Sequence, residues 1–280
     1  MLFVDRKGGM IVVLKIMKVL TAFIIIVTLC YVNNVKAISD EDYGRLREIF
    51  SDARLSIMTE EQKDMLVNGN LTTNTKTYAT TQTLNGTYVH TEVDAETAEL
   101  IKDSFNRGIS TYDATHETTY KRITILDNDL GNNVHRVTVY TQWLVTPATT
   151  SFDVTAMRID GGYVVDGTQD GTQVYWKDGS YDYVDYSWNG TNIRKFDNGF
   201  GISMNLVNDA SYFETDISAN LKTTSSNAEA FGTYQHAVTN VTLDQSQSYT
   251  ISHNGLGGVL NFTNSVYNYY DRMTGVSISL

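Results

Sequence analysis

The chain reads as mainly β: an antiparallel β-sandwich of meander or jelly-roll type with a short N-terminal helical segment. Three observations say so. Beyond residue 37 there are five Asn-Gly and four Asp-Gly pairs, dipeptides that tolerate the positive φ of tight hairpin turns. The segments between them are rich in Thr, Tyr, Val and Phe and alternate apolar with polar residues, as half-buried strands do. Helix-capping signals, by contrast, cluster before residue 108.

Taken in order, the first 37 residues read as a secretory signal. Lys15 and Lys18 precede an apolar run from Val19 to Val32, and small residues stand at Val35 and Ala37, so cleavage is expected after Ala37. An uncleaved anchor would bury Lys15 and Lys18 within the span, at about 2.5–3.5 kcal/mol for each charge near its centre. The leader contains the single cysteine, Cys30, which removes disulfides, zinc thiolates and a thiol nucleophile from the mature chain. It also holds five of the 21 basic and one of the 32 acidic residues, so the remainder has a net charge of −15. A surface that acidic repels phosphate backbones, which excludes nucleic acid as a main partner. No later segment is apolar enough to anchor the chain, and a secreted, extracellular product is expected.

Residues 38–70 form the helical segment. Ser39 can cap a helix whose apolar stripe is Leu46, Ile49, Phe50 and Ala53, and Thr59 with Gln62 makes a capping box for a second helix closed by Gly69. Residues 71–112 read as a hairpin plus a helix capped by Asp94, with Ala98, Ile101 and Phe105 on one face. Residues 113–280 form the sandwich, and six of the nine turn pairs fall between Asp160 and Gly199.

Those turns let register be worked out. Two-residue turns at Asp178-Gly179, Asn189-Gly190 and Asn198-Gly199 would make 173–207 a four-stranded meander. Trp176 then faces Tyr181, Asp185 faces Arg194, Tyr183 faces Phe196 and Ile193 faces Met204. In the last strand Phe200, Ile202, Met204 and Leu206 alternate with small or polar residues, which marks their face as core. Parity carries Tyr175, Val184, Tyr186, Trp188 and Ile193 to that core. It puts Val174, Trp176, Tyr181, Tyr183, Asp185, Arg194 and Phe196 on the opposite face. Either another layer covers those rings or they form an exposed aromatic platform.

Motifs for chemistry are sparse. His116-Glu117-Thr118-Thr119-Tyr120 has tyrosine where a His-Glu-x-x-His zinc site needs its second histidine, and no Gly-x-Ser-x-Gly elbow or phosphate loop is present. Acidic turns at Asp127 and Asp129, and at Asp166 and Asp170, are the candidate ligands if the chain takes a cofactor, which would be calcium.

The stretches Asn198-Gly199-Phe200-Gly201-Ile202-Ser203-Met204-Asn205-Leu206-Val207, Gly232-Thr233-Tyr234-Gln235-His236-Ala237 and Gly255-Leu256-Gly257-Gly258-Val259 resemble uncharacterised secreted, cysteine-free β-rich proteins of low-GC Gram-positive bacteria. The likeness covers mainly residues 120–280. It implies an exported bacterial protein and brings with it no activity and no catalytic residue.

The expected function is that of a binding or surface-interaction module. Its contact residues would be Trp176, Tyr181, Tyr183 and Phe196 with Asp185 and Arg194 beside them, and its partner a cell-surface or cell-wall glycan or a protein. Two other classes stay open. One is a secreted carbohydrate-active hydrolase using a carboxylate pair. The other is a β-type membrane-inserting toxin unrolling the alternating segment from Thr111 to Val145.

Overall fold

The computed structural model describes residues 38–82, 88–94, 96–100, 118–252, 259–271 and 275–280. The leader, His116-Glu117, the Asn85-Gly86 pair, the 253–258 stretch and the expected third helix beyond Leu100 lie outside the described residues. In chain order the elements are α1 (Asp40–Arg47), α2 (Asp52–Ile57), α3 (Glu60–Asn68), β1 (Asn70–Gln82), β2 (Tyr88–Val93), β3 (Thr118–Asp129) and β4 (Val134–Trp143). Then come β5 (Phe152–Asp160), β6 (Gly162–Val164), β7 (Asp170–Lys177), β8 (Ser180–Ser187), β9 (Ile193–Phe196), β10 (Gly199–Asn205) and β11 (Tyr212–Thr223). The chain finishes with β12 (Glu229–Gln235), α4 (Leu243–Ser246), β13 (Tyr249–Ile251), β14 (Leu260–Phe262) and β15 (Val276–Ser279).

The fold is mainly β, with antiparallel sheets. The larger sheet runs β2-β1-β3-β4-β11-β7-β8, with β6 also on β11, and the smaller runs β15-β12-β5-β10-β9. Their facing sides supply the main core, including Ile123, Ile125, Val137 and Val139 from one sheet and Met157, Phe200, Ile202 and Tyr234 from the other. β1 pairs with β3 along twelve positions, so the chain from 70 to 82 is continuous with the sandwich.

Both outer faces are also covered over part of their area, β8 at the edge of the large sheet remaining exposed. Leu46, Phe50, Leu55 and Met58 of the helical segment pack on Leu126 and Tyr140 of the large sheet. On the small sheet, Val154, Ala156 and Phe231 are covered by Ala237, Val241, Tyr249, Phe262 and Tyr270 from the late, loop-rich segment. Double coverage explains why β10 is buried on both sides, so that its small residues, read from sequence as a polar face, are interior. Gly201 is there because a Cβ would lie 2.5 Å from the Tyr249 hydroxyl.

Local signals mostly hold. Ser39 accepts from Asp42 N–H at 3.1 Å, and Thr59 and Gln62 form the expected reciprocal box ahead of α3, whose C-cap is Gly69. The first helical stripe is broken: Leu46 lies in α1, Ile49 and Phe50 in the turn that follows, and Ala53 in α2, because Ser51 caps a new helix by accepting from Arg54 N–H at 3.0 Å. Asp94 accepts from Thr97 N–H at 2.7 Å, and Ala98 is fully buried.

The sandwich is tightly closed at Gly232 on β12, where a Cβ would meet the Val139 methyls at 2.5 and 2.9 Å. Gly232→Ala is therefore expected to overpack the interface and to cost about 1–3 kcal/mol, read as a lower urea midpoint at unchanged m-value.

Candidate interaction surface

The β7–β8 hairpin turns at Asp178-Gly179 with φ of +52° and +84°, the two-residue geometry that matches strand twist. It sets Trp176 opposite Tyr181 and Val174 opposite Tyr183, so the expected register holds here. Trp176 and Phe200 face different layers: Tyr175, its neighbour on β7, packs on the same core as Phe200. The outward rings make a chain of edge contacts. Trp176 meets Tyr181 at 4.7 Å and Tyr181 meets Tyr212 at 5.7 Å, both nearly perpendicular.

That chain ends on a buried carboxylate. Tyr212 donates to Glu214 Oε1, Gln142 Nε2 donates to the same oxygen at 2.8 Å, and Ser51 Oγ donates to Oε2 at 2.7 Å. Burial and the Glu214 charge push the Tyr212 hydroxyl far above its ordinary value, so it stays a neutral donor. The helical layer stops short of the hairpin, leaving Tyr181 at 48% and Tyr183 at 47% exposure. Asp185, on the same outward face, accepts from Thr172 Oγ1 at 3.2 Å.

Arg194 and Phe196 do not join this surface, which corrects the expected pairing of Asp185 with Arg194 and of Tyr183 with Phe196. After Ser187 the chain makes a turn, Gly190 N–H to Ser187 O at 2.9 Å, and crosses to the other sheet instead of folding back. β9 pairs with β10, Phe196 opposite Gly199 and Ile193 opposite Ile202, two positions from the expected register. Arg194 and Phe196 therefore sit on the outer side of the small sheet. There the Arg194 guanidinium donates to Gln247 O and lies 5.4 Å from the Phe196 ring and 5.5 Å from the Tyr249 ring.

The same crossing leaves Trp188 43% exposed and Val184 on the surface, both expected in the core. Lys195 Nζ lies 4.5 Å from the Trp188 ring and borders an open cleft of about 460 Å³ lined by Tyr163, Val164, Asp166, Gln169, Phe196 and Asp197. Asp170-Gly171 is not a turn; both residues are in β7, where a Cβ at Gly171 would approach Asp216 O at 2.9 Å.

The four candidate calcium ligands are already engaged. Asp127, its carboxyl pushed up mainly by burial, contacts His135 Nδ1 at 3.1 Å, and Asp129 accepts from Gly131 N–H at 2.8 Å. Asp166 pairs with Lys195 at 2.7 Å and Asp170 with Arg136. Among the described residues no three His, Cys, Asp or Glu side chains gather to hold a metal.

A buried polar cluster went unread in the sequence. Lys121 Nζ contacts Asp271 Oδ2, with both side chains at 0% exposure. Asp271 Oδ1 accepts from His236 N–H at 3.0 Å, and Asp271 N–H donates to His236 O at 3.0 Å. Nearby, Asp153 accepts from His236 Nδ1 at 3.0 Å, Ala237 N–H at 2.8 Å and the Tyr234 hydroxyl. Trp143 Nε1 donates to Tyr234 Oη at 3.0 Å. The available signal was parity: Lys121 shares its strand face with Ile123 and Ile125, a charge where the core pattern asks for an apolar residue.

No known family profile matches the chain, and no curated protein does. Among solved structures it is similar to the pilus backbone RrgB of Streptococcus pneumoniae, at 12% identity over 38% of this chain and a TM-score of 0.26. It is also similar to the collagen adhesin CNA of S. aureus, at 11% identity over 58% of this chain and 71% of that one, TM-score 0.23. A third is the enzymatically active domain of the bacteriophage CBA120 tailspike protein 4, at 10% identity over 59% of this chain and 19% of that one, TM-score 0.22. The chain spans about a quarter of the pilus backbone chain. Likenesses this weak carry no argument about what the protein does.

Proposed function

We propose that the protein is an exported surface-interaction module whose contact surface is the outward face of the β7–β8 hairpin. The observation that carries this reading is the row Trp176, Tyr181, Tyr183 at the rim of the helical layer. Its outer rings are half exposed, and Trp176 and Tyr181 are locked by edge-to-face contacts. Rigid rings lose little entropy on binding and stack on the apolar faces of sugars, while Asp185 supplies an acceptor at the flank. A net charge of −15 beyond the leader repels anionic polymers, which favours an uncharged cell-wall or cell-surface glycan.

Tyr181→Ala combined with Tyr183→Ala is expected to weaken retention on purified neutral cell-wall glycan at least tenfold, measured by pull-down, with the melting temperature nearly unchanged. Retention equal to wild type would remove the surface from consideration, and turnover of the glycan would replace binding with hydrolysis. Export is tested separately: protein recovered from culture medium should begin at Ile38 by N-terminal sequencing, and a retained leader would contradict it.

A further inference from the structure

We propose that Lys121 and Asp271 are joined by an amide bond between Nζ and Cγ, formed by the folded protein itself with loss of one water. Both side chains are wholly withdrawn from solvent, and Nζ already contacts Oδ2. Trp143 and Tyr234 roof the pair, with ring centroids 5.1 and 5.5 Å from Nζ, so water is excluded. The carboxyl cannot turn away. Its Oδ1 is held by His236 N–H, and the Asp271 main chain is clamped both by its N–H bond to His236 O and by His90 Nε2 on its carbonyl. Lys121 is on a strand of the large sheet, while Asp271 stands shortly before the final strand of the small one.

An ammonium and a carboxylate held this way are the reactants of a condensation. In water that reaction is opposed by the solvation of both ions and by the abundance of water as the product. Here the ions are desolvated, which burial makes costly, and fixed placement stands in for an effective concentration of about 10⁵ M or more. The ammonium passes one proton to Oδ2, and the freed Nζ lone pair attacks Cγ. The carbonyl electron pair moves onto Oδ1, where the His236 N–H receives the developing charge at 3.0 Å. Collapse restores the carbonyl and breaks Cγ–Oδ2, and a second Nζ proton departs with that oxygen as water. No electrons are exchanged and no co-reactant is needed.

The product is a neutral link closing a loop of 150 residues and tying the two sheets together. A module exposed to mechanical or proteolytic stress gains from such a link, since the chain between 121 and 271 can no longer be pulled straight.

Mass spectrometry of a tryptic digest of the full protein tests this. The bond blocks cleavage after Lys121, so peptide 108–122 should appear joined to 223–272, one water lighter than the two together. Lys121→Arg should abolish the joined species, with folding confirmed by circular dichroism. Recovery from the unaltered protein of peptide 108–121 and free 223–272, each at full mass, would show an ion pair only and overturn the proposal.

Discussion

Arg54→Met is expected to destabilise the protein by about 3–5 kcal/mol at neutral pH, and acid is expected to return part of that loss. Arg54 reaches from α2 into the large sheet, where its Nε lies 2.6 Å from Asp216 Oδ1 and its Nη2 donates to Oδ2 at 3.1 Å. Both side chains are almost wholly buried, and with Ser51 on Glu214 and Asn128 Nδ2 on Met65 O at 2.9 Å they are among the polar contacts that pin the helical layer to the sheet. Removing the guanidinium strands a carboxylate between helix and sheet. Burial already pushes the Asp216 carboxyl up, and Arg54 is the main influence holding it down, so the variant raises it further. The sign follows from linkage. A carboxyl whose folded pKa lies above its unfolded value of about 3.9 favours folding below that value, and the benefit is lost as pH rises through the folded pKa. Urea unfolding of the variant at pH 7 and pH 5 should therefore show the smaller deficit at pH 5. Replacing both partners by apolar residues, Arg54→Met with Asp216→Leu, should come within about 2 kcal/mol of wild type, because a buried pair offsets little more than its own desolvation. A single variant that loses less than about 1 kcal/mol, or loses more in acid, would mean the pair is not closed as described.

What the sequence made legible was local, and what escaped was decided between layers. The Asp178-Gly179 turn allows one tight geometry, so the Trp176–Tyr181 pairing could be counted out in advance. Asn189-Gly190 carries the same signal, yet the chain after it leaves for the other sheet. A turn dictates reversal over a few residues and not which neighbour the next strand finds. That one departure sends Arg194 and Phe196 to the far side and puts Trp188 in solvent. The shift at Asn198 was harmless to the core, because two positions preserve parity and Phe200, Ile202 and Met204 still point inward. For the contact surface, Trp176, Tyr181, Tyr183 and Asp185 could be placed on one face beforehand. Tyr212 and Glu214 could not, since they come from β11, whose position between β4 and β7 no turn announces. The Lys121–Asp271 and Asp153–His236 contacts join residues too far apart for any spacing rule.

The other large effect is expected at Asp153, where substitution by alanine should cost about 3–5 kcal/mol and lower the melting temperature by roughly 6–20 °C. This carboxylate, fully buried at the start of β5, accepts from three donors of the 234–237 segment: the Tyr234 hydroxyl, His236 Nδ1 and the Ala237 main-chain N–H. None of these donors is exposed, so without an acceptor each keeps its desolvation cost, about 1–3 kcal/mol apiece before relaxation. Tyr234 cannot escape by ionising, because burial first and the Asp153 charge second push its hydroxyl well above the ordinary value. Damage should spread along the chain of bonds, since Tyr234 Oη is itself the acceptor for Trp143 Nε1 and the His236 ring packs edge-on against Trp143 at 4.8 Å. Asp153→Asn keeps the shape and one oxygen but turns an NH₂ toward donors, so it should fall between alanine and wild type. Calorimetric melting of the three proteins gives that order directly. If alanine and asparagine both melt within a degree of wild type, Asp153 is not the acceptor that holds the 234–237 segment against the sandwich, and the segment must be held by its apolar contacts alone.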